Sequence, residues 1–254
     1  MPMPPALVLA AGLGTRIRAV AGDLPKPLIP FGGQPILAHN LRWLAAGGVR
    51  DVWINLHYNA RRITELVGDG AGFGLRIRTL FEPELLGTAG ALANLATQAP
   101  EAVPGAVLVV YGDNLLRFDL AALLAAHRRR DAAATIALFD RDSHVHTGIA
   151  GGRVETGADG RVLAFREGGA PIAGRDLVNA GVYVVEPAVR RLIVPRNGGP
   201  AVDFGRDVFP AMLREGLPLF GHVIEDEGFC LGLDTPESHA AGTALLDAGR
   251  IVLA

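Results

Sequence analysis

Cysteine is almost absent: Cys230 is the one thiol in 254 residues. No intrachain disulfide can form, and a reducing compartment suits the chain. Long apolar runs are absent too. None approaches the roughly 20 residues of a membrane helix. The opening MPMPPALVLAAG has no basic stretch ahead of a long apolar one, so it does not read as a secretory leader. These absences lead us to expect a cytoplasmic chain with no membrane partner. Charge of one sign is also missing. The 24 Lys+Arg against 26 Asp+Glu give a formal net charge of −2, which provides no broad field for nucleic acid or an anionic membrane. A phosphate-bearing ligand would have to be met by local charge. Finally, there are no short-period repeats, and no isoleucine-rich hexapeptide array precedes Ala254. No C-terminal β-helix is therefore expected.

What is present is an ordinary globular composition, half hydrophobic and one-fifth charged, with length enough for a large core. The first half alternates strand and helix patterns. Residues 6–10 (ALVLA), 52–57 (VWINLH) and 75–81 (LRIRTLF) read as strands. Residues 106–114 (AVLVVYGDN) form an apolar run that fits a strand buried on both faces. Helices are predicted over 35–47, 59–67, 88–97 and 119–130, the last with Asp119 as N-cap and three arginines where the helix dipole favours them. Such alternation predicts a mainly parallel sheet covered on both sides. The second half differs. Residues 153–167 read as a hairpin around Asp159-Gly160. Residues 179–187 and 217–225 read as strands. Helices are predicted near 188–193, over 203–215 with an interruption at Pro210, and over 236–249. No linker breaks the chain, so a single domain over 1–254 is expected.

The most informative stretch is VLAAGLGTRIRAVAGDLPKPLIP, residues 8–30. A buried strand runs into a glycine-broken turn, and in open parallel sheets ligands bind beyond such strand ends. Gly12 and Gly14 let the backbone approach an anion, whose charge successive amides can hold. Arg16 adds a planar, permanently charged fork. The turn is neither GxGxxG with a following acid nor GxxxxGK[ST], which argues against a dinucleotide fingerprint or a P-loop. A glycine turn alone is commonplace. Lys26 between Pro25 and Pro27 is a second element, a single ammonium on a stiffened backbone, and together the two point to a string of phosphates.

The stretch LAAGLGTRIRAV…LPKPLIPFGGQPIL resembles the signature of the sugar-1-phosphate nucleotidyltransferases, with Val20 as a minor departure. The likeness continues through FEPELLGTAGAL (81–92), VYGDNL (110–115), FREGG (165–169), NAGVYVVEP (179–187) and GFCLGLDTPESH (228–239). It thus covers nearly the whole chain and is most like mannose-1-phosphate and heptose-1-phosphate guanylyltransferases. It implies an α/β, Rossmann-like fold: a mixed, mainly parallel sheet flanked by helices, of the GT-A-like nucleotidyltransferase kind. A nucleotide-binding half would span about 1–118 and a sugar-phosphate-binding half about 119–254. The implied reaction moves a nucleotidyl group from a nucleoside triphosphate to a sugar 1-phosphate, with pyrophosphate leaving and Mg²⁺ as cofactor. Arg16, Lys26 and Asp113 would carry the catalysis. Leu9, Ala10, Ala11, Gly12, Gly14, Thr15, Glu82, Gly87 and Thr88 would bind the nucleotide. Asn114, Glu167, Asn179 and Gly181 would bind the sugar phosphate, and Asp113 and Asp234 the metal. Small-molecule substrates are the implied partners, and a homo-oligomer is left open.

Two departures from the family pattern stand out. Where the family has a lysine in F-x-E-K-P, this chain has Gly168, so Arg166 or Arg175 would have to substitute. Near the C-terminus the order reads Gly232-Leu233-Asp234, which keeps Asp234 as the second metal ligand, with Asp226 as fallback. Cys230 reads as a small buried apolar residue. His144 and His146 lack further ligands at useful spacing and read as a solvated loop. The base stays open, with GTP favoured. A cytidylyl- or uridylyltransferase acting on another sugar phosphate or a phospho-alcohol is one alternative. A catalytically weak nucleotide-binding regulator is another.

Overall fold

The computed structural model describes residues 2–12, 22–147, 149, 151–168, 175–193 and 201–253. Strand β1 (Ala6–Leu9) lies at the centre, because ALVL has no polar side and must be covered on both faces. It pairs in parallel with β4 (Asp51–Leu56) and β6 (Val107–Tyr111), with Val8 opposite both Ile54 and Val110. β5 (Arg76–Phe81) extends the parallel sheet beyond β4. Between these strands run α1 (Ile36–Ala46), α2 (Ala60–Val67) and α3 (Thr88–Gln98). Their apolar residues close two cores on the two sides of the sheet, one around Leu41, Leu44 and Ile54, the other around Leu92, Leu95 and Tyr183.

Antiparallel strands complete the sheet. The long β12 (Leu177–Val185) runs against β6, with Val182 opposite Val110, and its other edge carries β8 (Ala134–Asp140). β10 (Arg153–Thr156) and β11 (Val162–Arg166) form the expected hairpin, and β13 (Leu219–Val223) lies parallel to β8. Among the described residues nine strands join in this sheet. A smaller sheet places β14 (Phe229–Gly232) between β7 (Asn114–Arg117) and β9 (Val145–His146), and β2 (Pro30–Phe31) pairs antiparallel with β3 (Gln34–Pro35) ahead of α1. The mixed, mainly parallel α/β sheet is as the sequence implies, and no β-helix occurs among the described residues.

Several local expectations need correction. The run 106–114 is not one strand: β6 stops at Tyr111, the chain turns at Gly112-Asp113, and Asn114 starts β7 in the other sheet. β8 and β14 carry no sequence assignment above. Both are continuously buried runs, which lack the alternation that marks a half-exposed strand. The helix expected near 188–193 is present as a six-residue 3₁₀ helix (Pro187–Leu192) rather than an α-helix. The helical run over 204–214 changes type beside Pro210: a π-helical turn (Phe204–Val208) gives way to α5 (Phe209–Arg214), with Pro210 in the first turn of α5.

The helix ends follow local chemistry. Asp119 caps α4 (Leu120–Arg129) by accepting from the Ala121 and Ala122 amides at 2.7 and 3.2 Å. Thr235 and Ser238 cap α6 (Pro236–Asp247) reciprocally. His144 and His146 do not form a solvated loop. His144 is buried with Nε2 3.0 Å from the Ile224 carbonyl, and His146 bonds the Arg141 carbonyl at 3.1 Å beside the Phe139 ring.

Candidate functional site

Two cavities open at the C-terminal edge of the parallel strands and meet at Tyr111 and Asp113. The first, about 280 Å³, is lined by Leu9 at the end of β1 and Ala11 and Gly12 after it, by Glu82, Leu85, Gly87 and Thr88 before and at the start of α3, and by Asn55 and Asp203. The second, about 210 Å³, is lined by Lys26, Asn114, Glu167, Asn179, Gly181 and Asp234. The sequence-predicted nucleotide and sugar-phosphate residues therefore separate into adjoining spaces with Asp113 on the seam. Ala10 does not line the first cavity; its amide is held by Asn55 Oδ1 at 2.8 Å. Gly14, Thr15 and Arg16 lie outside the described residues.

Lys26 begins a 3₁₀ turn (Lys26–Leu28) that its flanking prolines stiffen. Its Nζ sits 2.6 Å from Asp113 Oδ2 and also contacts Asp234 Oδ1. Asp113 comes from the turn between β6 and β7, and Asp234 follows β14, so the small sheet brings the two carboxylates together. The buried Asn40 of α1 fixes that turn, donating to the Asn114 carbonyl at 2.7 Å. Burial pushes the Lys26 ammonium towards deprotonation, but Asp113 and Asp234 outweigh this, and its pKa stands above the ordinary lysine value. Asp226 is exposed and lines neither cavity. Two carboxylates converging on one positive charge form a hard oxygen donor set, which suits a cation such as Mg²⁺ that also takes phosphate oxygens and waters. Among the described residues no group of three or more His, Cys, Asp or Glu that could hold a metal ion occurs.

Beside the predicted Glu82, Gly87 and Thr88, the wall of the first cavity uses Asn55 and Asp203, which sequence motifs did not single out. Glu82 is 1 % exposed. Its Oε1 accepts from Asn55 Nδ2 at 3.0 Å, while Oε2 receives the long Leu86 amide contact at 3.4 Å. Burial pushes the Glu82 carboxyl up, against the pull of the Asn55 and Leu86 bonds. Asp203 reaches across the start of α3 and accepts from both the amide and the hydroxyl of Thr88 at 3.1 Å. It is an N-terminal cap supplied from a distant segment, which local spacing could not reveal. Gly87, at φ +83°, is needed there: a Cβ would lie 2.5 Å from the Val202 carbonyl.

The second cavity rests on a bulge in β12. Between Asn179 and Tyr183 the register against β8 shifts, and Gly181 takes φ +79° beneath the Tyr111 ring. Asn179 holds the bulge, accepting from the Gly181 amide at 2.8 Å and donating to the Tyr183 hydroxyl at 2.7 Å. Burial raises the Tyr111 phenol to about 12, against the pull of its hydrogen bonds with Tyr183 and Thr88. Desolvation, and then the Asp203 carboxylate, raise the Glu167 pKa against the pull of Arg206. Neither Arg166 nor Arg175 lines this cavity. Arg175 is held by Asp140 at 2.7 Å. Lys26 is the lysine that does line it.

The comparisons agree with this geometry. A family model described as nucleotidyl transferase matches residues 5–230. A mannose-1-phosphate guanylyltransferase of Mycobacterium tuberculosis is 36 % identical over 96 % of this chain and 65 % of its own length. A UTP–glucose-1-phosphate uridylyltransferase of Synechocystis is 30 % identical over 89 % of this chain and 60 % of its own. The chain thus spans 60–65 % of the length of these curated relatives. The crystal structure of HddC from Yersinia pseudotuberculosis complexed with GMP-PN superposes with a TM-score of 0.77 at 23 % identity, covering 96 % of this chain and all of that one, and so shares the fold. A central parallel strand leading to Gly12, the PKP turn that carries Lys26, and a family match over residues 5–230 lead to one conclusion: this chain belongs to the nucleotidyl transferase family.

Proposed function

We infer that this chain transfers a nucleotidyl group, with GTP the favoured donor, to a sugar 1-phosphate, giving a nucleotide-sugar and pyrophosphate. The observation that carries the reading is the junction itself. Asp113 lines both cavities and is held by Lys26, which with Asp234 lines the second, an arrangement that suits a reaction joining two phosphorylated substrates.

The acceptor phosphate is already an anionic nucleophile, so no general base is demanded. Holding two polyanions in line is the main task, and positioning with charge neutralisation does most of it. The strand-end backbone from Leu9 to Gly12, and Gly14, Thr15 and Arg16 beyond it, would cradle the triphosphate, with Arg16 on the departing pyrophosphate. Lys26 would exchange its carboxylate partners in part for oxygens of the reacting α-phosphate. Mg²⁺ held by Asp113 and Asp234 would supply neutralising charge to phosphate oxygens. Glu167, Asn179, Gly181 and Asn114 would take the acceptor. We read residues up to about 118 as the nucleotide half and the remainder as the acceptor half.

Glu82 supports the choice of guanine. A carboxylate offers two acceptors and no donor when ionised. Guanine presents adjacent N1–H and N2–H donors, whereas the base edges of uracil and thymine present one N–H between two carbonyls. Glu82 Oε2, with its long amide contact, is available for such an edge. One observation favours a second acceptor class: Gly168 supplies no ammonium and neither nearby arginine lines the cavity, which leaves room for a phospho-alcohol.

The test is pyrophosphate release with Mg²⁺, pairing each common nucleoside triphosphate with mannose 1-phosphate, glucose 1-phosphate and phosphocholine. Release with GTP and a hexose 1-phosphate, lost in Asp113→Ala and Lys26→Ala, is the expected result. Release only with phosphocholine would select the second class. Nucleotide binding without any turnover would overturn both.

A further inference from the structure

We propose that Gly205 is a positioning residue of the acceptor cavity, its missing side chain forming the seat of the Glu167 carboxylate. The inference rests on the reading of that cavity above.

Gly205 is buried in the π-helical turn Phe204–Val208. A Cβ built on it would collide with Glu167 Oε1 and lie 2.7 Å from Glu167 Cδ, with the Phe165 ring 3.1 Å away. The carboxylate therefore rests directly on the Gly205 Cα. Glycine is not needed here for its backbone. Gly205 is not among the positive-φ residues, and a helical backbone prefers alanine. Space is what its absent side chain provides.

The nature of the clash decides what a substitution does. The atoms struck hardest belong to the far end of a flexible side chain, so Glu167 can swing away while the backbone stays, and the Phe165 ring edge need give only by a few tenths of an ångström. An alanine would thus be felt in the placement of one carboxylate rather than in the fold. The same turn is built on Asp203, which holds Thr88 in the other cavity. One short segment therefore sets a group in each cavity, but only the Glu167 seat is sensitive to a methyl at Gly205.

Gly205→Ala tests this. A crystal structure of the variant should show the Glu167 carboxylate displaced and residues 203–208 unmoved; a shifted turn with Glu167 in place would overturn the proposal. With mannose 1-phosphate and GTP, the acceptor KM should rise at least about tenfold, since misplacement by about 1 Å can cost 10²-fold. The GTP KM should stay within about twofold, and the melting temperature should hold. The double-mutant cycle gives a readout that a general structural role would not produce. In a Glu167→Ala background Gly205→Ala should add nothing, and Glu167→Asp, shorter by one methylene, should recover part of the Gly205→Ala loss. Additive losses, or a fall in GTP binding, would refute the assignment. If Glu167→Ala alone leaves the acceptor KM unchanged, the reading of the cavity fails. If Glu167→Ala impairs it and Gly205→Ala does not, the seat alone fails.

Discussion

Replacing Lys26 with methionine removes one positive charge from between two carboxylates and keeps the stem. The Lys26 side chain is 9 % exposed, and those of Asp113 and Asp234 are 29 % and 26 % exposed. Deleting one partner of a fully buried ion pair costs about 3–5 kcal/mol. Each carboxylate here keeps part of its hydration, which reduces the expected loss to about 2 kcal/mol. At roughly 2–4 °C per kcal/mol for a chain of this size, Lys26→Met should melt about 4–8 °C lower. Asp113→Ala leaves Lys26 paired with Asp234 and should lose about half as much. The freed carboxylates should bind a divalent cation better. Millimolar Mg²⁺ should therefore restore part of the Lys26→Met loss while leaving the unmodified protein nearly unchanged. The pH dependence has a definite sign. A lysine whose folded pKa is raised stabilises fully below its unfolded value, about 10.4, and the benefit is lost as pH rises through the higher folded value. The gap between the two proteins should be flat from neutrality to about pH 10 and shrink above it. Calorimetric melting with and without Mg²⁺ across that range measures all of this. An unchanged melting temperature together with no gain in Mg²⁺ response would refute the clamp.

Three further substitutions have definite expected outcomes. Glu82→Gln should cut the preference for GTP over UTP by at least about tenfold, read as a kcat/KM ratio. Because the Glu82 pKa is raised in the fold, its contribution is present at low pH and lost as pH rises through the folded value. The stability of Glu82→Gln relative to the unmodified protein should therefore be more favourable at pH 8 than at pH 4. Thr88→Val removes the bond to Asp203 and the acceptor for the Phe204 amide, and should cost about 1–2 kcal/mol in denaturant melts. Thr235→Ala should cost about 1 kcal/mol by the same measurement, since it opens the capping box of α6.

Legibility differed sharply between parts of the chain. The LAAG strand end, PKP and LGTAGAL could be read directly, because each compresses a local backbone requirement into adjacent residues. So could β1, α1, α4 and the β10–β11 hairpin, whose apolar period, Asp119 cap and Asp159-Gly160 turn are local signals. Asn55 and Asp203 could not. Each acts on a partner far away in sequence, Asn55 on Glu82 and Asp203 on Thr88. β8 was hidden because a fully buried strand loses the alternation that would announce it.

The amino-acid order thus settles the family and the parallel core, since glycine turns, a proline-flanked lysine and apolar periods act over a few residues. Three-dimensional packing alone settles how that chemistry is assembled. The small β7–β14–β9 sheet brings Asp113 and Asp234 onto one ammonium. A π-helical turn lays Asp203 across α3 and leaves Gly205 bare beneath Glu167. These relations depend on where distant segments come to rest, and each segment is placed by burying its own apolar face, with no local signal of the partner it will meet.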